Sequence, residues 1–171
     1  MTIFENNCNS YKFKVIDDTN AVFSNDKSNF ENEEKWLQNG HIYINYYDGN
    51  DIAISIPYEY SSNSLFLNTP LPISKICQFA FSNRPNLHSV QIPNSVTTIE
   101  YGAFSNCPDL KIINLPKSVL NISSKAFIDC DDLVIYCEFK KSEKPATWER
   151  SWNGKSQIVW NCNIFDGNEL F

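Results

Sequence analysis

Apolar residues recur through the middle of the chain with a period too long for one helix or strand. ISKICQFAFSNRPNLHSVQIP from Ile73, SVTTIEYGAFSNCPDLKIINLP from Ser95 and SVLNISSKAFIDCDDLVIYC from Ser118 align without a gap at a spacing of 23 residues. The shared columns are Ile73/Val96/Val119, Ile76/Ile99/Ile122, Ala80/Ala103/Ala126, Phe81/Phe104/Phe127, Leu87/Leu110/Leu133 and Val90/Ile113/Tyr136. Ile92/Leu115 and Pro93/Pro116 extend the match in the first two copies. One such unit cannot bury its own apolar residues, so the copies are expected to stack and turn each column into an interior ladder. Within a unit, the run ending at Pro93 or Pro116 predicts a short strand closed by a residue that cannot donate to a ladder. The Ala-Phe-Ser-Asn-Cys segment predicts a tight or single helical turn, with Cys107 and Cys130 in one column as small, buried thiols.

The flanks lack this period. Tyr11, Phe13 and Val15 alternate before Asp17-Asp18-Thr19-Asn20, and Ala21 to Phe23 return as the second strand of a hairpin. Ser28 with Glu31 forms a capping box for a short helix through Trp36 and Leu37, stopped at Gly40. Ile42, Ile44 and Tyr46 alternate, Asp48-Gly49-Asn50-Asp51 turns, and Ile52, Ile54 and Ile56 alternate again, which predicts a second hairpin. Phe66-Leu67 and Pro70 fall in phase with Ser89-Val90 and Pro93 as a degenerate half-repeat. Downstream, Trp148 and Trp152 are spaced for one helical face, Asn153-Gly154 stops it, and Gln157 to Trp160 forms a closing strand. The tryptophans are expected to pack as a cap over the exposed end of the ladder rather than to form a ligand platform. The division expected is a β-rich N-terminal unit or cap over 1–68, repeats over 69–137 and a C-terminal cap over 138–171.

Composition narrows the partners. With 42% hydrophobic and 14% aromatic residues the chain should fold. A net charge of -6, with no basic run longer than Lys140-Lys141, argues against nucleic acid or an anionic membrane as a partner. The opening MTIFENNCNS has no charged-then-apolar leader pattern, and no apolar stretch approaches a membrane span. The expectation is therefore a cytoplasmic or assembly-associated location unless export uses another route. The six cysteines show neither a CxxC pair nor zinc-type clustering with His41 or His88.

Catalytic chemistry finds little footing, and no catalytic residue, cofactor or metal is expected. Neither His41 nor His88 lies in a nucleophile-base pattern. Asp131-Asp132 occupies the turn that Pro108-Asp109 fills one repeat earlier, which fits loop solvation. Five scattered glycines exclude a phosphate-cradling loop, and the single sequon at Asn121-Ile122-Ser123 is unremarkable in an asparagine-rich chain.

SVTTIEYGAFSNCPDLKIINLP and SVLNISSKAFIDC resemble the BspA-like leucine-rich-repeat family, as do the IYCE tail from Ile135, Trp152-Asn153 and IVW from Ile158. The resemblance covers about residues 70–161. It implies an α/β leucine-rich-repeat solenoid, mostly β with short helical turns, to which the flanking residues add a small α+β N-terminal unit and a Trp-rich C-terminal cap. It also implies a right-handed coil, one strand per turn on the concave side, and a role in adhesion, surface recognition or other protein binding. The chain departs from the pattern at Arg84, which replaces the column's cysteine, and at Glu100, where the family usually has glycine.

Alternation in the strands places two rows away from the core: Phe66, Ser89, Ile112 and Ile135, and beside them Asn68, Gln91, Asn114 and Cys137. An apolar stripe edged by amides suits a protein partner, such as a cell-surface protein or an assembly neighbour. The expected function is thus non-enzymatic recognition of adhesion or scaffold type. The alternatives are a structural subunit of a phage or virion and, least expected, a hydrolase within residues 1–68.

Overall fold

A computed structural model describes residues 12–17, 20–24, 42–47, 51–56, 58–60 and 71–162. The repeats are coils of chain, and each coil contributes one short strand to each of two sheets. One sheet takes its strands from the segments following the stacked turns: β4 (Ala53–Ser55), β7 (Ser89–Gln91), β9 (Ile112–Leu115), β11 (Val134–Cys137) and β12 (Gln157–Trp160). All neighbours in this five-stranded sheet run parallel, in the order β12-β11-β9-β7-β4. Parallel neighbours need a crossover, and here the rest of each coil supplies it.

The second sheet contains β3 (Ile42–Tyr47), β6 (Leu71–Ile76), β8 (Thr98–Ile99) and β10 (Asn121–Ile122), again parallel. It is extended by β1 (Lys12–Asp17) and β2 (Asn20–Ser24), while β5 (Glu59–Tyr60) pairs antiparallel with β6. The β1–β2 hairpin is antiparallel, with Phe13 opposite Phe23, as the alternation predicts. The segment assigned to a capped helix, residues 28–40, lies outside the described residues, as does the proposed half-repeat around Phe66.

The predicted hairpin over residues 42–56 is not one. Its first half, β3, pairs with β6, and its second half, β4, pairs with β7 in the other sheet. A period of two identifies a strand but not its neighbour, and both halves pair with the next coil instead of with each other. Both sheets therefore extend upstream of residue 69.

Of the six columns shared by all three copies, each except the one ending at Tyr136 is buried throughout, including Ile76/Ile99/Ile122 and Leu87/Leu110/Leu133. Phe81, Phe104 and Phe127 are piled one above another, with centroids 5.0 and 5.4 Å apart and planes within 11° and 6°. Tyr47 continues the pile at 5.2 Å from Phe81, and Trp152 closes it edge-on, 6.0 Å from Phe127. The backbone follows the same ladder. Tyr47, Phe81, Phe104 and Phe127 donate their N–H groups to the carbonyls of Ala80, Ala103, Ala126 and Trp152. Alanine's small side chain lets adjacent coils approach closely enough for these bonds, and all three alanines are fully buried.

The cysteine column serves the same ladder. Cys107 Sγ lies 3.1 Å from Phe81 O and Cys130 Sγ 3.0 Å from Phe104 O, so each thiol donates to the aromatic residue of the preceding coil. Arg84 occupies this column in the first full copy and donates to Tyr47 O through Nη2. Glu100 also acts between coils, accepting the Gln78 N–H at Oε2 (3.0 Å) and pairing with Lys75. Glu149 does the same for the Ser124 N–H and Glu138 for the Lys117 N–H.

At the C-terminal end Trp148 and Trp152 are buried with centroids 4.7 Å apart, and Phe139 meets Trp148 at 5.4 Å. The tryptophans thus pack as a cap. The segment between them is a series of turns and not an α-helix, because Ser151 has φ 57°, outside helical geometry. Among the described residues the one helical element is a 3-10 turn over Lys141–Glu143.

Candidate functional site

The register of the five-stranded sheet decides which side chains face outward. Ile54, Val90, Ile113, Ile135 and Ile158 are paired in one row, and Leu115, Cys137 and Trp160 in another. Ile54, Val90, Ile113, Leu115, Ile135 and Cys137 are buried, while Ile158 and Trp160 pack against the core from its end. Alternation then turns the remaining rows outward: Ala53, Ser89, Ile112, Val134 and Gln157, and Ser55, Gln91, Asn114, Tyr136 and Val159.

This corrects several expected positions. Ile135 is an inward residue with no exposure, and Val134 takes its place beside Ile112. Cys137 likewise points inward opposite Leu115, and Tyr136 replaces it in the outward row. The third copy reaches its strand one residue sooner after Leu133 than the second does after Leu110, so an ungapped alignment slips by one and inverts every later side chain. Phe66 and Asn68 lie outside the described residues, and the places next to Ser89 and Gln91 belong to Ala53 and Ser55. A signal for this was present: Ile54-Ser55-Ile56-Pro57 repeats the pattern of Val90-Gln91-Ile92-Pro93 and Ile113-Asn114-Leu115-Pro116.

Ser89, Gln91, Ile112 and Asn114 do stand in the outward rows, but not equally accessible. Ser89 is 3% exposed and Asn114 4%, whereas Gln91 and Ile112 are half-buried. Asn114 is a structural clamp: its Oδ1 accepts the Ile92 N–H at 2.6 Å and its Nδ2 donates to Ile92 O at 3.0 Å. Gln91 Oε1 accepts from Ser55 Oγ at 3.0 Å, which ties the first two strands together across the face. Half-buried Ile112, Val134, Tyr136 and Val159 supply the apolar part of the surface.

The face carries no charged side chain in any of its outward positions, two on each of five strands, although charged residues make up 20% of the chain. Charge is displaced to the edges. Lys111 pairs with Asp132 at 2.7 Å and Lys155 with Asp131 at 3.5 Å. The Asp132 carboxyl is held below its ordinary range by the Lys111 hydrogen bond and charge. This carboxylate pair therefore lies in a solvated loop. His88 is exposed, with Nδ1 2.9 Å from Asn86 O, and His41 is not among the described residues. No cluster of three or more His, Cys, Asp or Glu side chains suited to a metal occurs among the described residues. No helix among the described residues is long and apolar enough to cross a membrane.

Parallel strands in phase, an aromatic ladder and an intercoil thiol column define a leucine-rich-repeat solenoid. The chain belongs to the BspA-type leucine-rich-repeat family: the model of the BspA type leucine rich repeat region matches residues 54–142, in six copies. No curated protein matches the chain. Among solved structures, a leucine-rich cell surface protein from Faecalibacterium prausnitzii is similar, with 23% identity and a TM-score of 0.52. That match covers 93% of this chain and 43% of the other. The pneumococcal vaccine antigen PcpA matches at 16% identity and a TM-score of 0.41, over 92% of this chain and 48% of its own. The chain thus spans less than half the length of either.

Proposed function

We propose that the chain is a non-enzymatic recognition module of adhesion or scaffold type, which holds a protein partner on the outward face of its five-stranded sheet. The observation that carries this reading is the absence of charge from every outward strand position, with Ile112, Val134, Tyr136 and Val159 as the apolar centre. Interface centres are depleted in charge and enriched in such residues, and a regular parallel sheet offers a rigid platform that costs little ordering on binding. The cell surface location of the similar Faecalibacterium protein is consistent with an adhesive role.

The test is site-specific photo-crosslinking in the native source, with a benzoylphenylalanine at position 112 or 134 and a control at the exposed Leu120, outside this sheet. A discrete protein adduct is expected from 112 and 134 and not from 120. The paired change Ile112→Lys with Val134→Lys should abolish capture of that adduct's protein while leaving the circular dichroism spectrum unchanged. Equal adducts at all three positions, or capture unaffected by the lysines, would overturn the assignment.

A further inference from the structure

Away from the five-stranded sheet, β6 and β8 and the residues leading into them form a cleft of about 570 Å³. Its walls are chemically uniform. Ser74, Asn94, Thr97 and Thr98 contribute hydroxyl and amide groups, and the only aromatic ring among its described lining residues is that of Tyr58, which is 56% exposed. The one cation, Lys75, is paired with Glu100 at 3.3 Å, so the wall brings no uncompensated charge to a ligand. Apart from Tyr58, Pro72 is the sole apolar wall residue among the described residues, which disfavours a lipid or other greasy ligand.

The repeat itself marks this cleft as different from its neighbours. Ser118 donates its hydroxyl to Val96 O at 2.7 Å, tying the third copy to the second. Ser95 stands in the same column one copy earlier, is 9% exposed, and its Oγ has no hydrogen-bond partner. The chain ahead of it is altered: Pro72 fills the column, and β6 pairs with β5. That hydroxyl is shut off from solvent inside the wall, so the hydroxyls a ligand can reach include those of the half-buried Thr97 and Thr98. Thr97 Oγ1 spends its proton on Ser74 O at 3.2 Å and retains lone pairs that can accept.

We infer that this cleft binds a neutral carbohydrate of one or two sugar rings. The Tyr58 ring meets a C–H face of the sugar, the Thr98 hydroxyl exchanges hydrogen bonds with its hydroxyl groups, and Thr97 Oγ1 accepts from them. The site is independent of the protein-binding face and stands whether or not that reading holds.

The test is saturation-transfer difference NMR on the full chain with D-galactose, N-acetylglucosamine and lactose at about 10 mM, a concentration suited to weak polar sites. Glucuronate and inorganic phosphate serve as charged controls. At least one neutral sugar should give signal. Tyr58→Ala, at an exposed position, should weaken binding tenfold or more, and Thr98→Ala should weaken it severalfold without lowering the melting temperature. Signal from none of the three sugars, stronger signal from the charged controls, or sugar binding indifferent to both substitutions would overturn the inference.

Discussion

At the scale of the residue, each repeated side chain has a partner one coil away, and that fixes what its loss should do. Phe104 is stacked on both sides and fully buried, so Phe104→Ala removes two ring contacts and leaves a cavity that neighbouring coils cannot close. Urea unfolding should show a loss of about 3–5 kcal/mol. Thiol chemistry gives a pH-dependent counterpart. Burial pushes the Cys137 thiol from its ordinary 9.0 up to about 12. Cys130 is also raised, first by its hydrogen bond with Cys107 and then by burial. For Cys137 the folded state holds its proton where the unfolded chain has released it, so its stabilisation is complete below pH 9.0 and falls as pH rises towards about 12. In that window the loss approaches about 1.4 kcal/mol per pH unit. Comparing wild type with Cys137→Ala between those limits isolates the effect from lysine and tyrosine titration: the difference in stability should shrink as pH rises, and a constant difference would refute the assignment.

The element scale shows what the sequence revealed and what it concealed. The columns at Phe81, Phe104 and Phe127 were legible because three copies share one spacing, and the closing strand β12 was legible from its position after the tryptophans. The partner of β3 and β4 was not, since alternation records a buried face and says nothing of the strand alongside. Ile135 and Cys137 were misplaced in the outward rows for a related reason: a single missing residue after Leu133 leaves the apolar composition intact while exchanging Val134 for Ile135, and Tyr136 for Cys137, at the surface. Backbone conformation offers a sharper test of the element. Phe79, Gly102 and Lys125 share one column and all have φ near +60° (59°, 60° and 57°). Only glycine adopts this without strain, and a Cβ on Gly102 would come within 2.5 Å of the Phe79 ring. Gly102→Ala should therefore cost about 1–2 kcal/mol in thermal unfolding. Lys125→Gly, at an exposed position with the same geometry, should be neutral or slightly stabilising. Equal losses for both would show that the column's conformation is not what these residues select.

For the whole molecule, the consequence of stacking is that stability should be carried by contacts between adjacent coils rather than by one central core. Trp152 meets the aromatic ladder edge-on at Phe127 and is braced by Trp148, so it covers the Phe127 face of the pile. Trp152→Ala should cost about 3–5 kcal/mol by uncovering Phe127. The more discriminating measurement is a pair of double-mutant cycles. Phe127→Ala combined with Trp152→Ala removes two groups in contact, and their effects should fail to add by about 0.5–3 kcal/mol. Phe81→Ala combined with Trp152→Ala removes groups separated in the pile by Phe104 and Phe127, and these should add to within about 0.5 kcal/mol. Strong coupling in the distant pair would mean that the interior responds as a single globular core; coupling confined to the near pair is the signature of a chain held together one coil at a time.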